Sequence, residues 1–129
     1  MSGLESLNLT GLRILIVEDA WQLGVALTDL LKELGAEVSG PVATTADALG
    51  VASERLPDAA LVDFNLRGGE LADGLIERLH ELGVHVIVTT GYTDLPGVHR
   101  HAAALLHKPI SEAALLESLR PVVARKAQG

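Results

Sequence analysis

Cysteine is absent from this 129-residue chain, and aromatic residues are scarce, with one Trp, one Tyr and one Phe. The lack of cysteine excludes disulfides, thiolate zinc sites and cysteine nucleophiles, and it is compatible with a reducing cytosol. No apolar run approaches the roughly 20 residues that span a bilayer, and residues 1–10 lack the basic start and apolar stretch of a signal peptide. We therefore expect a cytoplasmic protein without membrane insertion.

Positive charge is also in short supply, because 17 acidic residues outnumber 10 Lys and Arg residues and leave a formal net charge of -7. Binding to a phosphate backbone needs a clustered excess of Lys and Arg, so we expect no direct nucleic-acid partner. Apolar residues make up 48% of the chain, a composition that excludes a disordered protein. The length fits one domain. We place it at residues 12–125, between an N-terminal extension (1–11) and a C-terminal tail (126–129).

Apolar runs and helical periodicities alternate along the chain. The runs predict five strands, at residues 14–17, 37–42, 59–62, 84–90 and 104–107. Leucines at helical spacing predict helices after the first and third strands, and Thr44 or Thr45 and Ser111 are candidate caps for two others. The fourth helix, within residues 91–103, should be short or irregular because this segment contains Pro96 and Gly97.

Strands that alternate with helices through short loops specify a parallel sheet with helices on both faces. Five such strands predict an α/β domain of flavodoxin-like, doubly wound architecture with strand order 2-1-3-4-5. Pro41 cannot donate a hydrogen bond to a neighbouring strand, so the second strand should lie at a sheet edge.

Polar residues stand where four of these strands end. They are Glu18 and Asp19 after the first strand, Asp63 at the end of the third, Thr89 and Thr90 at the end of the fourth, and Lys108 after the fifth. In open parallel sheets the ligand site forms outside the carboxyl ends of the strands, so these side chains should converge on one rim. Carboxylates brought that close repel one another, and Mg²⁺, which prefers oxygen ligands, would relieve the repulsion.

Each of these residues also has an ordinary structural explanation. Asp19 could cap a helix, Asp63 could occupy a turn, and Lys108 could be a solvated cation. Their joint placement at successive strand ends favours a shared site instead. The histidines within residues 99–107 lack regular helical spacing and a companion acid cluster, so we interpret them as surface residues.

The sequence resembles the receiver domains of two-component response regulators over residues 12–123. The resemblance rests on four motifs, namely Val17-Glu18-Asp19, Leu61-Val62-Asp63, Val88-Thr89-Thr90-Gly91 and His107-Lys108-Pro109. Each motif alone is weak, but their order at successive strand ends is a strong joint signal. The resemblance implies a stand-alone response regulator that takes part in phosphorelay signalling.

The resemblance implies that Asp63 is the phosphoacceptor, a carboxylate nucleophile that forms an acyl phosphate. The implied metal site holds Mg²⁺, or alternatively Mn²⁺, through Glu18, Asp19, Asp63 and the backbone carbonyl of Asn65. Asp19 is favoured as a direct ligand over Glu18, which can act through water. Lys108 is implied to pair with a phosphoryl oxygen, where it supplies positive charge to the transferring group.

Thr90 is implied to donate its hydroxyl to another phosphoryl oxygen. We choose it over Thr89 because the switch hydroxyl of the family normally precedes a small residue, which here is Gly91. The bond between Lys108 and Pro109 is expected to be cis by the same resemblance.

The implied donor is a histidine kinase or a histidine phosphotransfer protein, and the implied output is a conformational change that a downstream protein recognises. One open alternative is a phosphate sink or phosphorelay intermediate without its own output. Another is an Asp-nucleophile phosphatase of the haloacid-dehalogenase type, which needs a second Asp where Asn65 stands. A flavodoxin is disfavoured because Glu18 and Asp19 would repel the flavin phosphate. We therefore predict that the protein is not an enzyme but a phosphoacceptor that assists its own phosphorylation and dephosphorylation.

The sequence departs from the family pattern at the positions that usually report phosphorylation. Many receivers carry an aromatic residue three positions before the conserved lysine, where Leu105 stands, so we do not expect the usual aromatic switch. Tyr92 is a candidate replacement, because Thr90-Gly91-Tyr92 resembles a receiver subgroup common in alphaproteobacteria. Arg67 stands where a proline is common, which predicts a more mobile loop.

Overall fold

The computed structural model describes residues 7–66, 72–91 and 101–128. In chain order its elements are β1 (Arg13–Val17), α1 (Trp21–Glu33), β2 (Glu37–Val42), α2 (Thr45–Glu54), β3 (Ala59–Asp63), α3 (Asp73–Glu81), β4 (His85–Thr90), β5 (Ala104–His107) and α4 (Glu112–Gln128). The strands form one parallel sheet in the order β2-β1-β3-β4-β5. The predicted flavodoxin-like order is confirmed, with β2 at an edge.

Sequence signals at the helix ends explain where three of the helices begin or stop. The Thr44 hydroxyl accepts a hydrogen bond from the backbone N–H of Asp47 at 3.1 Å, so Thr44 is the N-cap of α2. At the start of α4, the Ser111 hydroxyl accepts one from the N–H of Ala114, also at 3.1 Å. α1 is followed by Gly35, whose φ of 106° lies in the region that favours glycine.

The sheet separates two apolar layers, because neighbouring residues of a strand face opposite sides. In β1, Leu15 and Val17 pack in the layer that contains α2 and α3, whereas Ile14 and Ile16 pack in the layer that contains α1 and α4. β1 and β3 lie inside the sheet, and β3 is buried at all of its positions. These two central strands therefore carry their terminal acids to a rim that is partly shielded from water.

The core extends beyond the domain limits expected from the sequence. Leu7 and Leu9, in the expected N-terminal extension, are buried in the layer of α1 and α4, and α4 continues through residues 126–128 of the expected tail. The limits of 12–125 stay a prediction, but packed structure is present on both sides of them. The helix predicted within residues 91–103, between β4 and β5, falls largely on residues 92–100, which lie outside the described residues. The loop around Arg67 falls on residues 67–71, which also lie outside them.

No helix within the described ranges combines the length and the apolar character that crossing a bilayer requires.

α1 packs against β2 through a close contact between a glycine and a proline. A Cβ atom added to Gly24 would lie 2.7 Å from Cβ of Pro41 and 2.9 Å from its Cγ. The same atom would lie 3.9 Å from Cβ of Glu18. The absence of a side chain at Gly24 therefore lets α1 approach β2 directly beside the first acid of the rim.

We expect Gly24→Ala to lower the free energy of unfolding by about 1 to 2 kcal/mol, because the rigid proline ring must shift. Urea unfolding followed by circular dichroism measures this change. Gly50→Ala is the matched control, since Gly50 also lies in a helix but has no atom within 4 Å of an added Cβ. Gly50→Ala should stabilise by up to about 1 kcal/mol. A Gly24→Ala variant as stable as Gly50→Ala would contradict this description of the contact.

Candidate functional site

Three carboxylates meet at the carboxyl ends of β1 and β3. Glu18 and Asp19 directly follow β1, Asp63 is the last residue of β3, and one carboxylate oxygen from each lies within 4.8 Å of the others. Glu18 is 3% exposed and Asp63 4%, whereas Asp19 is half-buried. The structure therefore brings together the three acids that the sequence predicted to converge.

Lys108 joins two of these acids. Its Nζ lies 3.0 Å from Oε1 of Glu18 and 3.3 Å from Oδ2 of Asp63. Lys108 comes directly after β5, and its peptide bond to Pro109 is cis, as predicted. One ammonium group therefore bridges acids from two different strands at the rim.

The electrostatics of the rim are unfavourable to the charge on Asp63. Burial, followed by the negative charge of Glu18, raises the pKa of Asp63 from 3.8 to about 6. Lys108 and a hydrogen bond from the backbone N–H of Asn65 to Oδ1, at 3.3 Å, act in the opposite direction. The raised pKa shows that Lys108 does not offset the combined effect of burial and of the charge on Glu18.

Lys108 responds in the complementary way. Its partial burial lowers the pKa, but hydrogen bonds and charges from Glu18 and Asp63 outweigh that effect, and the pKa of Lys108 is raised. Lys108 is therefore a permanent cation at neutral pH. The raised pKa reflects the excess of negative charge around it.

Glu18 is fixed by more than the lysine. Its Oε2 accepts a hydrogen bond from the backbone N–H of Ala20 at 3.0 Å, while its Oε1 faces Lys108. Ala20 is the N-cap residue of α1, without a side-chain cap, so Asp19 does not occupy the cap position considered for it. The sequence assigned Glu18 to a metal and Lys108 to a phosphoryl oxygen, and it missed the ion pair between them.

Thr89 and Thr90 end β4 beside these residues, and both are almost fully buried. The backbone N–H of Phe64 donates to the carbonyl of Thr89 at 2.9 Å, and that of Lys108 donates to the carbonyl of Thr90 at 2.7 Å. These bonds place Thr90 next to the residue that carries the ammonium group. The role expected for its hydroxyl stays a prediction.

Leu105 occupies the position where many receivers have an aromatic residue. It is partly buried and packs against the layer of α2 and α3, with Val88 of β4 as its neighbour across the strands. An aliphatic side chain therefore fills this part of the core. Tyr92, the candidate replacement, lies outside the described residues.

The donor set at the rim fits Mg²⁺. Three carboxylates whose oxygens lie within 4.8 Å of one another form a hard, anionic set of the kind that this ion prefers. Burial and the negative charge of Glu18 both disfavour the charge on Asp63, which is a reason for a cation to bind there. Asn65 follows Asp63 closely enough for its N–H to reach the carboxylate. Coordination through its carbonyl stays a prediction.

Solved structures similar to this one include receiver domains of response regulators. The signal receiver domain of a modulated diguanylate cyclase from Desulfovibrio desulfuricans G20 is 27% identical with a TM-score of 0.78, and the match covers 91% of this chain and 97% of that one. A response regulator receiver domain from Methylobacillus flagellatus is 28% identical with a TM-score of 0.76, covering 86% and 98%. The receiver domain of the Erythrobacter litoralis response regulator PhyR is 26% identical with a TM-score of 0.78, covering 88% and 91%.

No protein-family model and no curated protein matches the sequence. The similarity to receiver domains is therefore carried by the structures, and the chain has the receiver-domain fold of response regulators.

We expect Asp63→Asn to raise the free energy of unfolding by about 1 to 2 kcal/mol at pH 8 in EDTA, because it removes a charge that the folded state disfavours. The pKa of Asp63 is higher in the folded protein, about 6 against 3.8, so its cost is complete above both values and falls as the pH is lowered. The stabilisation should shrink to about half by pH 5. Urea unfolding at several pH values measures it.

Asp29→Asn is the control, because Asp29 is an exposed acid on α1 and its replacement changes the net charge equally. If both variants change stability alike, or if Asp63→Asn destabilises the protein at pH 8, the unfavourable environment inferred for the Asp63 carboxylate is wrong.

Proposed function

We propose that this chain is a response-regulator receiver that accepts a phosphoryl group on Asp63. The donor is a histidine kinase or a histidine phosphotransfer protein, which supplies the group from a phosphohistidine in a Mg²⁺-dependent reaction. A conformational change then passes the signal to a protein partner, and because the donor kinase draws on ATP we place the reaction in the cytoplasm. The single observation that carries the proposal is the buried carboxylate of Asp63, 3.3 Å from the ammonium of Lys108 and grouped with two further acids.

The proposed transfer uses the groups that surround Asp63. A carboxylate oxygen of Asp63 attacks phosphorus, the phosphorus–nitrogen bond of the phosphohistidine breaks, and the released imidazole takes up a proton. Above pH 6 Asp63 is mostly ionised, as a nucleophile must be. We propose that Lys108 pairs with a phosphoryl oxygen, which is supported by its position 3.3 Å from Oδ2 of Asp63 and by its ion pair with Glu18.

Glu18, Asp19, Asp63 and the carbonyl of Asn65 are the proposed ligands of the metal. Bound there, Mg²⁺ or Mn²⁺ supplies positive charge that offsets the repulsion among the acids and the charge of the incoming phosphoryl group. Because Glu18 is already held by Ala20 and Lys108, we propose that it acts on the metal through water.

Thr90 is the proposed hydroxyl partner of a phosphoryl oxygen, since its backbone is bonded to that of Lys108. With Leu105 in place of an aromatic residue, we propose a readout that differs from the usual aromatic switch. Thr90, Gly91 and Tyr92 further suggest membership of the alphaproteobacterial Thr-Gly-Tyr subgroup as part of this proposal.

Receiver chemistry is favoured over hydrolysis because the residue two positions after Asp63 is Asn65, which cannot act as a general acid or base. The same rim would equally serve a phosphate sink or a phosphorelay intermediate, because those roles use the same transfer to aspartate.

Incubation with phosphoramidate and Mg²⁺, followed by intact mass spectrometry, tests the proposal. We expect one phosphoryl group per chain, and none when EDTA replaces Mg²⁺ or when Asp63 is changed to Asn. Asp58→Asn is the matched control, because Asp58 lies at the opposite end of β3, where it pairs with Lys126, and it should leave phosphorylation intact. A wild-type chain that takes up no phosphoryl group, or an Asp63→Asn chain that takes up as much as the wild type, would contradict the proposal.

A further inference from the structure

A second polar site lies at the opposite end of the sheet. A cleft of about 320 Å³ opens where β4 begins, and its side-chain walls include His80 of α3, His85 of β4, His101 before β5 and Arg125 of α4. We call it the histidine cleft. β4 runs from the cleft at His85 to the acidic rim at Thr90, a distance of roughly 16 Å at the rise of a strand. The cleft is therefore separate from the site around Asp63.

The charge of the histidine cleft is opposite to that of the protein. The whole chain carries a formal charge of -7, yet the described residues that line the cleft include an arginine and three histidines and no acid. The rings of His80 and His101 are stacked, with centroids 4.7 Å apart and planes 27° from parallel. Among the residues that the structure describes, the lining of the cleft therefore carries a cation and three imidazoles and no negative charge.

His85 has a structural task in this arrangement. Its Nε2 lies 2.9 Å from the carbonyl oxygen of Ser118, which joins β4 to α4. Burial lowers the pKa of His85, the bond to Ser118 opposes that change, and the nearby charge of Arg125 adds to it. His85 is therefore neutral at pH 7, and a ligand charge would be met by His80, His101 and Arg125.

Arg125 makes no ion pair within the part of the chain that the structure describes, although the adjacent Lys126 pairs with Asp58 at 3.2 Å. A guanidinium that lines a concave site together with stacked imidazoles offers several N–H donors to an anion. We propose that the histidine cleft binds a small phosphate-bearing anion through Arg125, His80 and His101. This inference does not depend on the chemistry proposed for Asp63.

A phosphate-bearing ligand suits the cleft better than a metal ion. Among the residues described, only the acidic group of Glu18, Asp19 and Asp63 brings three possible metal ligands within 4.8 Å of one another, so the histidines do not converge on a common point. The volume is at the small end of the range for ligand pockets and exceeds what a bare ion needs. Inorganic phosphate and a small organic phosphate share the chemistry that these donors recognise.

Four side chains from different elements face the ligand. They are His80 from α3, His85 from β4, His101 from the segment before β5, and Arg125 from α4. Because the rings of His80 and His101 stack on each other, an anion would contact their edges and not the space between them.

Isothermal titration calorimetry of the full chain in EDTA tests the proposal, with inorganic phosphate in one arm and phenyl phosphate in the other. The metal-free acidic rim repels both probes, so it does not compete. We expect saturable binding at pH 7 that Arg125→Gln weakens about tenfold or more. His80→Gln and His101→Gln should also weaken the binding, and the ring resonances of these two histidines in NMR spectra should shift when the probe is added.

Two variants serve as matched controls. Arg120→Gln removes an arginine that also lies in α4 but pairs with Glu117. His107→Gln removes an exposed histidine at the other end of β5, away from the cleft. Both should bind like the wild type. If only phenyl phosphate binds, the site recognises organic phosphates, and if both bind equally it recognises the phosphate group alone. Either result supports the proposal.

Three outcomes would overturn it. They are the absence of saturable binding by either probe, binding that the Arg125 and His101 variants leave unchanged, and tight Zn²⁺ binding without phosphate binding. Because Arg125→Gln could affect folding, its melting temperature is compared with that of Arg120→Gln. The two histidine variants keep the test decisive if Arg125→Gln proves unstable.

Discussion

The contact of Lys108 with Glu18 and Asp63 is the interaction on which the rest of the functional site depends. Parallel strands bring their carboxyl ends to one rim, and here two adjacent central strands both end in acids. Lys108, at 3.0 Å and 3.3 Å from those acids, offsets only part of the effect of burial and of the charge on Glu18, and the pKa of Asp63 stays raised at about 6. A rim with this surplus of negative charge is suited to a metal ion and then to a phosphoryl group.

The fold holds this arrangement in place from both layers of the core. β1 and β3 are apolar and buried, so their terminal acids cannot retreat into solvent without disturbing the sheet. On one side, the close approach of Gly24 to Pro41 positions α1 and β2 beside Glu18. The histidine cleft lies at the opposite end of the sheet, so the two sites are separated along β4.

The sequence predicted those parts of the structure that depend on local pattern. The strands agree with the apolar runs to within about one residue, and the acids and Lys108 appear at the strand ends as expected. Contacts between distant segments were not predictable. Examples are the burial of Leu9, the ion pair of Lys108 with Glu18, and the stacking of His80 on His101. The sequence had predicted only a surface position for His101. Each depends on how separate elements pack, which periodicity does not encode.

The central claim is that the phosphoryl group is carried by the carboxylate of Asp63. Borohydride reduces an acyl phosphate of aspartate to homoserine and leaves free carboxylates unchanged. Tandem mass spectrometry of the protein treated with phosphoramidate and Mg²⁺ and then reduced would locate that residue directly. The account predicts homoserine at position 63 alone. Homoserine at position 19 or 58, or a phosphoryl group retained on a histidine with Asp63 intact, would contradict it.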